Sequence, residues 1–127
     1  MKRAIFTSVV LLALATLVCV GSSFLIRNSL DRMSDLHEQV LACTDADDKA
    51  GALDALGQTA EYWEKCGYWM EMLTSHEDLH NVREQIVSAK ALLENDDIAQ
   101  YQQCMALLRE ALDHIRRHES MNLSNVL

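Results

Sequence analysis

Apolar residues are arranged in two regimes along this chain. From Ala4 to Ile26 they are nearly continuous: 23 residues without a charge, dominated by Leu, Val, Ala, Ile and Phe. At about 1.5 Å of rise per residue, such a run crosses a hydrocarbon layer about 30 Å thick. After Arg27 the apolar positions recur at spacings of three and four, the period of an amphipathic helix. Leu30, Met33, Leu36, Val40 and Leu41 continue the first helix as a stalk over residues 27–43, and Thr44 to Asp48 forms a polar break in which Asp45 or Asp47 can cap a new helix. The second helix runs from about Asp47 into the low seventies, with Leu53, Leu56, Ala60, Trp63, Gly67 and Met70 on one stripe. Ser75 followed by Asp78 reads as a helix start, which places a turn near Thr74–Ser75. The third helix then runs to about Glu94 with Leu79, Val82, Ile86 and Leu93 inward. The fourth runs from Asp97 to about His118 with Ile98, Tyr101, Met105, Leu108, Leu112 and Ile115 inward.

Connections this short force neighbouring helices to run antiparallel. The expected fold is all-α: a cytoplasmic N-terminus at 1–3, a transmembrane anchor at 4–26, a helical stalk at 27–43, a small antiparallel three-helix bundle at 44–118 and a C-terminal tail at 119–127. Tyr62, Trp63, Tyr68, Trp69 and Tyr101 are the large residues expected to fill its core, and Leu123, Val126 and Leu127 of the tail to dock on the bundle or on a partner.

Two alternatives compete for the opening run. A cleaved signal peptide has an apolar core of only about 7–15 residues, shorter than this one, although Gly21, Ser22 and Ser23 would permit cleavage. A lipoprotein would use Cys19, but Leu17 and Val18 precede it where small residues belong. Lys2, Arg3 and the terminal amine flank the span on one side; Arg27, Asp31, Arg32 and Asp35 flank it on the other. The basic excess favours a cytoplasmic N-terminus and an extracytoplasmic C-terminal part in a single-pass cell-membrane protein.

Charge narrows the partners. All 19 acidic residues but only eight basic ones follow Arg27, a net charge of −11. That sign argues against nucleic acid and against flat binding to anionic lipid. The expected partners are the bilayer, through residues 4–26, and another envelope or membrane protein.

The sharpest chemical pattern is His76-Glu77-Asp78-Leu79-His80, an HExxH in form. Two imidazoles four residues apart on a helix can bind one zinc, and Glu77 would act on its water. A third ligand must come from another helix. His114 and His118 form a second such pair, and antiparallel packing about Asn95–Asp96 brings residue 76 level with about residue 115. Plain surface histidines, His37 included, are the simpler expectation, so no metal, cofactor or catalytic residue is assigned. Cys43, Cys66 and Cys104 are widely spaced and contain no CxxC; they read as small apolar residues, with one disulfide open to them.

Three features together resemble a known family: the short basic start before a single span, the tryptophan-rich helix leading into Thr74-Ser75-His76-Glu77-Asp78-Leu79, and the ending Leu112-Asp113-His114-Ile115 followed by Asn122-Leu123-Ser124-Asn125-Val126-Leu127. This arrangement is similar to the bacterial domain-of-unknown-function family 4363. The resemblance implies a membrane-anchored helical protein with no assigned activity and transfers no catalytic residue. The functional expectation is a protein-interaction or accessory module, with a metal-binding protein or zinc hydrolase as the alternative.

Overall fold

The computed structural model describes residues 1–126; Leu127 and the side chain of Val126, both assigned above to a docking tail, lie outside the described residues. Four α-helices and no strand occur among them: α1 (Lys2–Asp45), α2 (Lys49–Met70), α3 (His76–Glu94) and α4 (Ile98–Val126). α1 is a single unbroken helix from the apolar run into the amphipathic region. Nothing in its sequence stops it: proline is absent from the whole chain, and proline is the strongest helix breaker.

Two turns of the same design close one end of the molecule. Asp47 and Asp96 both adopt the left-handed backbone, with φ of 60° and 59°. Each is followed by an aspartate that caps the next helix: Asp48 accepts from the Gly51 amide at 2.9 Å, and Asp97 from the Gln100 amide at 3.3 Å. The expected cap at Asp45 or Asp47 is therefore supplied by Asp48, because Asp45 still belongs to α1 and Asp47 turns the chain. Lys49 joins the turns through Asp96 Oδ1 at 2.9 Å. At the opposite end, Ser75 starts α3 with extended backbone but no side-chain cap bond, and Glu77 and Asp78 fill the first turn, where carboxylates suit the positive end of the helix dipole.

The core draws on all four helices. Ile26, Leu30, Met33, Leu36 and Val40 of α1 are as buried as Leu56, Trp63, Val82, Ile86, Met105 and Leu108. α1 packs on α2 and α4, and α3 packs on the same two helices. The stretch expected to be a stalk thus contributes a full face to the core, since its apolar stripe has the same period as those of the other helices and they cover it. α1 and α4 run antiparallel: Thr44 meets Tyr101 (2.8 Å between hydroxyls), His37 meets Met105, and Asp31 meets Arg116 (2.9 Å).

Three further expectations are corrected. Tyr68 is 86% exposed rather than part of the core. Ile98, at the first turn of α4, stays exposed. Residues 119–126 are not a loose tail but the last two turns of α4, because no glycine or proline follows His118 to end the helix.

Candidate functional site

The HExxH residues occupy the first turns of α3. His76, Glu77 and His80 are all exposed, and Leu79, between them, points into the core. Its carbonyl accepts from Trp63 Nε1 at 3.2 Å, which fixes the rotation of α3 against α2. At that rotation the two histidines share one cleft, and only His80 reaches a second. His76 borders a small cleft with Trp63 and Arg83, whereas His80 borders both this cleft and a larger groove between α3 and α4.

The larger groove has a volume of about 610 Å³ and carries Glu77, Asp78, Glu84 and Glu110 beside His80, His114 and Arg117. His114 Nε2 stands 3.6 Å from Asp78 Oδ1, and its ring stacks on His118 with centroids 6.4 Å apart and planes 7° from parallel. Antiparallel pairing thus brings one histidine of each pair, His80 and His114, to a shared groove. Among the described residues no group of three or more His, Cys, Asp or Glu side chains is arranged to hold a metal ion. The groove is an acidic trough with imidazoles on its walls.

His37 was grouped with the surface histidines, yet it is buried between α1 and α4, 5% exposed, with Nε2 2.8 Å from the Met105 carbonyl oxygen. A carbonyl can only accept, so this nitrogen carries the proton. Its place in the sequence, directly after Leu36 and three residues before Val40, was the available signal.

The cysteines are all free: Cys66 is buried, Cys43 and Cys104 half-buried and Cys19 exposed. Burial pushes the Cys104 thiol above its usual range, away from the reactive thiolate. Burial also raises Tyr101, against the opposing effect of the Thr44 hydroxyl, and raises Tyr62, against that of Ser29.

The remaining candidate is the opening run. α1 is long and apolar enough to cross a membrane, and its apolar segment is almost entirely uncovered by the rest of the protein. Three of its hydroxyls are satisfied internally: Thr7, Ser8 and Thr16 donate to the carbonyls of Arg3, Ala4 and Leu12 at 2.8–2.9 Å, whereas the buried Ser23 Oγ has no partner among the described residues. A helix in lipid has no water to supply such partners. Burial begins at Ser23.

The family model described as a domain of unknown function (DUF4363) matches residues 20–126. The chain belongs to this family. The match begins three residues before Ser23 and takes in the packed part of all four helices. Neither the curated proteins nor the solved structures contain a match to the chain.

Proposed function

We propose that this DUF4363 protein is a membrane-tethered interaction module: an uncleaved anchor at residues 4–26 carrying an antiparallel four-helix bundle outside the cytoplasm. The observation that carries the reading is the continuity of α1. One helix passes from an uncovered apolar segment directly into the shared core, so the anchor and the domain share one continuous element. Val18, Cys19 and Ser22, which lie at or before the small-residue stretch where a signal peptidase would cut, form one wall of a groove whose other wall is Leu123 of α4. Cleavage would strip that wall away. The orientation rests on Lys2, Arg3 and the terminal amine close before the span, against Arg27 and Arg32 after it.

The module binds rather than reacts. Its most prominent feature is the trough between α3 and α4, where Glu77, Asp78, Glu84 and Glu110 face Arg117 and two imidazoles. That charge suits a basic segment of another envelope protein, since complementary potentials steer association. The test is a photocrosslinker at Gln85, on the trough wall, in the full chain in its own membrane. A discrete adduct with a membrane protein, lost when Glu84 and Glu110 become Lys, is expected. No adduct, or one indifferent to both charge reversals, would refute the reading. Intact mass of the membrane-extracted protein tests the anchor: an N-terminus near residues 22–24 would overturn it.

A further inference from the structure

The end of the molecule nearest the anchor differs from the far end in chemistry. At the far end the two turns carry Asp47, Asp48, Asp96 and Asp97. At the near end the turn between α2 and α3, Glu71-Met72-Leu73-Thr74-Ser75, carries one charge, the exposed Glu71, Glu77 and Asp78 follow in the first turn of α3, and α4 has none after Glu119 among the described residues. Beside these it exposes apolar side chains: Tyr68 is 86% exposed, Met72 80% and Met121 63%.

The register sets the depth of this rim. Leu73 and Leu123 face Ser22 and Ile26 of α1 across an apolar groove of about 250 Å³. If the hydrocarbon layer begins at Ala4, twenty residues of helix fill its thickness of about 30 Å, and its outer edge falls near Ser23. The α2–α3 turn then lies in the headgroup layer, and the end of α4 reaches the hydrocarbon edge alongside the anchor. Tyr68 and Trp69 stand where amphipathic rings concentrate in membrane proteins.

We propose that this rim, formed by the α2–α3 turn and the last two turns of α4, is a lipid-contacting surface that seats the bundle directly on the bilayer. The inference rests on the anchor reading and adds to it that the bundle does not stand clear on a stalk. The net negative charge of the domain is no obstacle, because the contact is made by apolar side chains and Glu71 and Glu77 fall in the headgroup layer, where water still solvates a carboxylate.

The test uses the full chain, one copy per nanodisc, in phosphatidylcholine with or without bromine near the carbonyl end of the acyl chains. Tryptophan is added singly by Met72→Trp, Met121→Trp, Val20→Trp in the span and Gln102→Trp near the acidic end. The emission added over the unsubstituted chain is read, with helical content checked by circular dichroism. Met72→Trp and Met121→Trp are expected to lose most of that emission in brominated discs, as Val20→Trp does, while Gln102→Trp keeps it. Quenching of Val20→Trp without quenching of the two rim positions overturns the proposal and leaves the anchor standing. Failure to quench Val20→Trp as well overturns both. Blue-shifted, unquenched emission at Met121→Trp signals cover by protein and also overturns it. The partly buried native Trp69 gives a second reading: its quenching in the unsubstituted chain supports the proposal, and complete insensitivity to bromine counts against it.

Discussion

Nε2 of His37 donates to the carbonyl oxygen of Met105 at 2.8 Å, a buried polar contact between α1 and α4. The Met105 carbonyl sits within a helix that runs on to Val126, so it keeps its backbone partner if the imidazole is removed. His37→Leu is therefore expected to cost less than about 1 kcal/mol, whereas His37→Ala, which empties the space, costs about 2 kcal/mol or more. Thermal melts of the full chain in detergent, followed by circular dichroism, distinguish the two. Equal losses would mean that the hydrogen bond, not the packing, is what α1 needs here.

Met33 of α1 and Leu108 of α4 are both essentially inaccessible. If the segment 27–43 is a full member of the core, Met33→Ala and Leu108→Ala each destabilise by about 2–5 kcal/mol. A free-standing stalk would leave the melting temperature of Met33→Ala unchanged, and that result would break the four-helix reading.

The left-handed aspartates offer the opposite sign. Asp47 and Asp96 hold φ near 60°, which glycine adopts without steric penalty. Asp47→Gly is expected to stabilise the protein by about 0.5–1 kcal/mol. Asp96→Gly should gain less, because it also removes the Lys49 ion pair, a partly exposed contact worth about 0.2–1 kcal/mol. Denaturant midpoints of both variants test the order.

Tyr101 is fully buried, with its hydroxyl 2.8 Å from Thr44 Oγ1. Thr44 also reaches the Val40 carbonyl, so Tyr101→Phe leaves no orphan and should cost about 1 kcal/mol. Burial raises the folded-state ionisation of Tyr101 and Tyr62 above the ordinary 10.0. The unfolded chain then releases its protons first, and stability present below pH 10 falls as pH rises beyond it. Tyr101→Phe should flatten that alkaline decline. A decline as steep as that of the unsubstituted chain would count against the assignment.

The histidine motif is open to direct measurement. The side chains of His76 and His80 are exposed and make no hydrogen bond among the described residues. His76→Ala and His80→Ala are expected to shift stability by no more than about 0.5 kcal/mol, with the same result when zinc is added. A zinc-dependent rise in melting temperature, abolished by either substitution, would revive the metal reading.

The sequence by itself determined the helices, the turn at Thr74–Ser75 and the family. Period, missing prolines and capping residues are local signals, and the stripes through Leu30, Leu79 and Tyr101 declare which faces must be covered. It also marked the uncharged opening run, since length and hydropathy need no fold to be read. Only the tertiary structure decided what covers what. The 27–43 stripe looked like a stalk because a chain cannot announce that α2 and α4 will close over it, and His37 looked like a surface residue for the same reason. The fate of the two histidine pairs hung on helix rotation, fixed by contacts such as that between Trp63 and Leu79, residues sixteen apart. A rotation set by such packing across helices leaves no trace in the period of any one of them.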